Sequence, residues 1–197
     1  MVKTKIIIVY IIVLSVISCL NFYRNSDGAL RPNKINFKLD KNQSLSKPCF
    51  IDTLSVYELY STWLGDYDLN SKRKDDYVLM NEYRYYDGTL ANFKIFLRFY
   101  NNGNLSFFHI ENESGLNKES FNPVKGILGV YSCIDNKILI EEFSFRGHQG
   151  IYLKSKARVK GDTIHLVREL SGYYTGKHNI FIKKEVPNEY LNWKSDW

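Results

Sequence analysis

Residues 150–159 alternate in character without a break. Ile151, Leu153, Ser155, Ala157 and Val159 fall on one face, and Tyr152, Lys154, Lys156 and Arg158 on the other. After Lys160-Gly161-Asp162, residues 163–170 return with Ile164 and Leu166 on the inner face and His165 on the outer. A period of two marks a strand with one buried face, and a short polar turn between two such strands marks a hairpin. Whatever else this chain does, it must satisfy an antiparallel sheet.

The same text recurs from residue 49 onward. Asp52 is suited to cap a short helical turn running to residue 60. Strands are then expected at 63–69, 77–86, 92–100, 105–111, 124–133, 137–145, 150–159, 163–170 and 179–185. Asn101-Asn102-Gly103-Asn104 and Asp135-Asn136 are further turn signals, since Asn and Gly tolerate positive φ. The alternation is clean at 150–170 and blurred at 137–145. No long amphipathic helix is readable. The tail at 186–197 carries Tyr190, Trp193 and Trp197 and is expected to pack on the outside.

Consecutive hairpins make a meander, and closing a meander removes its exposed edges. The expected fold is therefore all-β: an antiparallel meander closing into an up-and-down barrel of about eight or nine strands, with a flattened barrel or a sandwich as the alternative. With 44% hydrophobic and 15% aromatic residues in 197, the chain can fill such a core. The pairing of "FYNNGNLSF", "GILGVYSCIDNKILIEEF" and "KARVKGDTIHLV" resembles the lipocalin-like domains of bacterial lipoproteins over most of residues 60–185. The Gly-x-Trp of the narrow lipocalin signature is absent, because the order here is Trp63-Leu64-Gly65. The resemblance implies a barrel that takes a small apolar ligand.

The N-terminus carries a separate signal. Lys3 and Lys5 precede an uncharged apolar run at 6–17, followed by Ser18 and Cys19. This order marks a secretory signal with a small residue before the cleavage point. With Cys next, it resembles the lipobox of bacterial lipoproteins. That resemblance implies cleavage before Cys19, acylation (palmitate among the chains) on Cys19, and membrane anchoring through several acyl chains. Leu20 rather than Asp after Cys19 points to the outer membrane under the sorting rule of such lipoproteins. The alternative is an uncleaved membrane helix, although 6–17 is short of the roughly 20 apolar residues a span needs. The domains read as a signal peptide at 1–18, a lipid-anchored flexible tether at 19–48 and a β-barrel at 49–197. Cleavage lowers the formal charge from +6 to +4 by removing Lys3 and Lys5. No run of like charge exists, since Lys72-Arg73-Lys74 meets Asp75-Asp76 at once. Nucleic-acid binding is not expected.

Meander parity puts the turns at 101–104, 135–136 and 160–162 at one end, together with the 70–76 connection. The loops at 87–91, 112–123, 146–150 and 171–178 fall at the other. These longer loops form a mouth that displays Arg146, His148, Tyr173 and Tyr174, with Lys177 and His178 beside them. Those first four are the candidate ligand-binding residues, set against the plain reading of solvated loops. The four histidines lack metal-ligand spacing and no Cys-x-x-Cys occurs, so neither a metal nor a cofactor is expected. Glu141-Glu142 could place one carboxylate inward, without an acid–base dyad being implied. No nucleophile motif is readable, so an enzyme is not expected. Cys49 and Cys133 remain after lipidation and are either a disulfide or two buried thiols. The expected function is an anchored, non-enzymatic barrel that binds a small apolar ligand or serves a structural role in the envelope. The alternative is a surface module that binds glycans or proteins through Tyr173-Tyr174 and the Tyr-rich 77–86 segment.

Overall fold

The computed structural model describes residues 21–39, 50–72, 93–111, 115–134, 137–146, 149–195 and 197. A short hairpin comes first, β1 (Phe22–Arg24) with β2 (Leu30–Pro32). Eight strands follow: β3 (Val56–Gly65), β4 (Phe93–Phe99), β5 (Asn104–Glu111), β6 (Ile127–Ile134), β7 (Lys137–Arg146), β8 (Gln149–Lys160), β9 (Thr163–Glu169) and β10 (Gly176–Lys184). Each pairs antiparallel with the next, and β10 closes on β3 to make a barrel. The expected all-β barrel is the observed one.

Two interiors hold it together. Within the barrel, Tyr57, Leu97, Phe99, Leu105, Tyr131, Ile138, Ile164 and Phe181 form a buried cluster toward one end. Phe99 meets Tyr57 and Tyr131 edge-on, with ring centroids 6.3 and 5.0 Å apart. Outside the wall, Val56, Phe96, Phe108 and Phe121 form a second cluster, covered by Leu116, Val186, Tyr190 and Leu191. The tail does pack on the outside as expected: the Trp197 indole donates to the Gly129 carbonyl at 3.1 Å and the Trp193 indole to Lys118 at 2.6 Å. Arg98, also on the outer face, is buried beneath it and donates to the Leu191 carbonyl.

Four expectations change. The strand expected at 63–69 is instead β3, Val56–Gly65, and the helical turn to residue 60 does not form. Asp52 still caps, accepting from the Leu54 N–H and the Ser55 hydroxyl, but it closes a turn that feeds a strand. Because β3 starts earlier, the connection after it leaves at the mouth end. The described part of the 70–76 connection therefore does not share an end with the tight turns. Residues 124–126 belong to a 3-10 turn, Pro123–Lys125, capped by Asn122, and strand β6 begins only at Ile127.

Residues 21–39 are not a free tether. They lie on the outer wall of β6–β8. The Arg31 guanidinium donates to the carbonyls of Gly126, Pro123 and Val124 at 2.8, 2.9 and 2.5 Å. Phe22 packs against Phe143 and Phe145, and Phe37 meets Tyr152 edge-on. The Lys38 and Leu39 N–H groups donate to the Glu141 carboxylate at 2.6 and 3.0 Å. Apolar residues scattered singly through a polar segment suffice for this, because backbone groups and one arginine supply the rest. The 77–86 strand and the 135–136 turn lie outside the described residues.

Candidate functional site

Register decides which side chains enter the barrel. Along β9, Ile164, Leu166 and Arg168 share a face; along β10, Phe181, Asn179 and Lys177 do. On β7 and β8 the inward sets are Ile138, Ile140 and Glu142, and Ala157, Ser155 and Leu153. On β5 they are Leu105, Phe107 and His109. The lower part of this interior is aromatic and aliphatic. Toward the ends of β5, β7 and β9 it turns polar. The turns at 99–104 and 160–163 close the apolar end, where Gly103 and Gly161 supply the positive φ, and Ile134 and Lys137 pair at the same end. The last residues of β3, β5, β7 and β9 lie at the polar end.

At that polar end Arg168 Nη2 lies 2.5 Å from Glu142 Oε1, with the Glu142 side chain 3% exposed. The guanidinium sits 5.9 Å from the Phe107 ring centroid. Arg168 is directly opposite Lys177 on β10 and Ser155 on β8. Burial holds the Lys177 amine down to about 8, with Arg168 adding repulsion and Glu142 opposing it. His109 stacks flat on Phe93 at 4.9 Å. Burial, then Arg168 and Lys177, hold its imidazole below the usual range. Among the described residues, Glu142 Oε2, Arg168 Nε and Ser155 Oγ are buried without a hydrogen-bond partner. Each such group forfeits about 1–3 kcal/mol relative to a satisfied one. Arg168, Lys177 and Glu142 thus lie together toward the mouth end of the wall, with Glu111 on the same face of β5.

A second polar cluster lies on the outer wall. His178 is fully buried and stacks on Trp63 at 4.8 Å and 11°. Its Nε2 is 3.0 Å from the Asp66 carbonyl, and its Nδ1 is 2.9 Å from His165 Nε2. A carbonyl can only accept, so His178 Nε2 carries the proton. Burial holds both imidazoles below their ordinary value, and in the neutral pair His178 Nδ1 accepts from His165 Nε2–H. The His165 imidazole is pushed down to about 4 by burial first and then by His178 and Arg158. Residues 66–71 form the cover: the Lys156 ammonium donates to the Tyr67 carbonyl at 2.6 Å and lies over that ring, and Arg158 reaches Asn70. Among the described residues no group of three or more metal-ligating side chains is assembled.

The sequence-predicted residues separate. Arg146 is exposed at the end of β7, opposite Gln149. Tyr173 is 90% exposed and meets Tyr174 edge-on at 5.0 Å in the turn between β9 and β10. Arg146 and the tyrosines lie at the mouth end, but among the described residues no contact brings Arg146 against the tyrosines. His148, Cys19, Cys49 and the tyrosines of 77–86 lie outside the described residues. His178, expected at the mouth, is instead buried on the outer wall. Cys133 is inward, buried and disulfide-bonded. Glu142 is the inward member of its pair, and Glu141 is buried too, capped by residues 38 and 39. Arg168, Lys177 and His109 were missed as inward-facing residues, Arg168 and Lys177 half-buried and His109 exposed. The signal for Arg168 was present, since it shares parity with Ile164 and Leu166. No protein-family model, curated protein or solved structure matches the chain.

Proposed function

We propose that this is a lipid-anchored envelope lipoprotein whose barrel binds a small, largely apolar molecule in its mouth half, without catalysis. The barrel fold carries the coarse part of this reading. The finer part rests on one observation: Glu142 Oε2, Arg168 Nε and Ser155 Oγ are buried without a hydrogen-bond partner among the described residues, beside the buried Phe107 and Ile140. Native interiors satisfy their polar groups, and exceptions point to a ligand, a water or a functional role. Anchoring through Cys19 rests on the lipobox, and pairing of Cys133 with Cys49 on Ile51 packing against the cluster that contains Cys133. The exposed, edge-to-face Tyr173–Tyr174 pair favours a second reading, a surface that stacks on sugar rings or a protein.

The test uses the full chain extracted in detergent from the membranes of an exporting bacterial host. Its mass is measured under native and denaturing conditions. Acyl mass that survives denaturation and vanishes in Cys19→Ser supports the anchor; its absence sinks it. Further mass lost on denaturation identifies a cargo. A clean protein mass under both conditions removes the cargo reading and turns attention to Tyr173–Tyr174.

A further inference from the structure

Among the described residues, one buried cation has no counter-charge. Arg98 faces outward from β4 beneath the tail and is 4% exposed. Its Nη2 donates to the Leu191 carbonyl, and its guanidinium carbon lies 4.6 Å from the Tyr100 ring centroid. Neither contact supplies a full negative charge. The ion pairs among the described residues engage Lys94, Arg168, Lys183 and Lys184. Burial pulls the Arg98 guanidinium below its ordinary value, opposed by Tyr100. A cation buried without a paired anion is costly.

The donors around it are in surplus as well. Arg98 Nε and Nη1, the Tyr100 hydroxyl and Ser106 Oγ are buried without a hydrogen-bond partner among the described residues. Ser106 is directly opposite Arg98 on β5 and shares its outward face. Both lie close enough to the Tyr100 hydroxyl to oppose the upward pull of burial on its phenol. These groups therefore belong to one patch. Gly126 backs it, where a Cβ would lie 3.2 Å from Ser106 Oγ. The tail covers it at Leu191 and at Trp197, whose ring meets Tyr100 edge-on at 6.1 Å.

We propose that Arg98, Tyr100 and Ser106 hold a small monoanion, of the size of chloride, beneath the tail. One guanidinium calls for one negative charge, and a dianion would leave a charge buried. Water would satisfy the donors but not the cation. Charge-assisted hydrogen bonds from Arg98, with the two hydroxyls as further donors, suit a compact ion. Enclosure by Gly126 and the tail selects against an organic acid. The site lies outside the barrel wall and does not depend on the ligand reading above.

The test is urea unfolding of the full chain in non-ionic detergent, in potassium chloride or potassium gluconate at equal ionic strength. At about 0.2 M, chloride should lower the unfolding equilibrium constant at least about tenfold relative to gluconate, which is too bulky to enter. Bromide should act like chloride. Arg98→Met should remove the difference between the salts. Ser106→Ala needs no change of charge. It should be no less stable than the wild type in gluconate, since it deletes an unpaired hydroxyl, and should lose about threefold or more of the gain from chloride. Equal stability of the wild type in the two salts overturns the site. So does a chloride gain that persists in Arg98→Met, or, if that variant does not fold, one left undiminished in Ser106→Ala.

Discussion

The two neutral histidines on the outer wall have a consequence for stability against pH. An unfolded His165 takes up a proton near its ordinary value of 6.5, whereas the folded one resists until about 4. Stability from this pair is therefore complete above pH 6.5 and is lost as the pH falls toward 4. Protonating His178 Nδ1 would also remove the acceptor that His165 donates to. The midpoint of thermal unfolding should drop across that window in the wild-type chain and drop less in His165→Gln. Parallel curves for the two would show that carboxylates elsewhere govern the fall. Beside the pair, a Cβ on Gly176 would lie 2.5 Å from the Asp66 carbonyl oxygen, a contact with backbone on both sides. Gly176→Ala should cost about 1–3 kcal/mol in chemical denaturation by displacing the 66–67 cover. A substitution without effect there would mean that the cover is not held against β10.

At the scale of elements, the legible strands were those with one wet face. β8 and β9 alternate because their outer residues meet solvent or long, snorkelling cations such as Lys156 and Arg158. β7 was blurred for a physical reason. Its outward Glu141 and Phe143 are buried under residues 21–39, so both faces are dry and the period of two disappears. β4 is similar, with Phe96 and Arg98 facing outward yet buried beneath the tail and the 115–125 segment. β3 was misplaced because Asp52 caps a turn by the same hydrogen bonds that would start a helix. The interior charges were half legible: parity located Ser155 inward and could have located Arg168, but the β10 partner of Arg168 required the register. Arg31 is the residue on which the outer strap depends most. Arg31→Ala removes its donors to three carbonyls and should cost about 1–3 kcal/mol. Limited proteolysis should then cut within residues 21–39 while the barrel stays intact. Unchanged protection would show that Phe22 and Phe37 hold the strap alone.

The whole molecule is a barrel whose halves differ in character. One end is sealed by an aromatic core into which Cys133 and Ile51 pack; the other carries buried charge beneath longer connections. The disulfide at Cys133 belongs to the sealed end. Reductant should lower stability by about 2–4 kcal/mol without altering ligand binding at the mouth, measured by denaturation and by native mass spectrometry in parallel. Coupled loss of both would mean that the halves do not act independently. The most direct measurement concerns the mouth half itself. The full chain, extracted in detergent from an exporting host, is weighed under native and denaturing conditions. A barrel whose buried Glu142 Oε2, Arg168 Nε and Ser155 Oγ are completed by a ligand predicts a bound mass that is lost on denaturation. A clean protein mass under both conditions would contradict it.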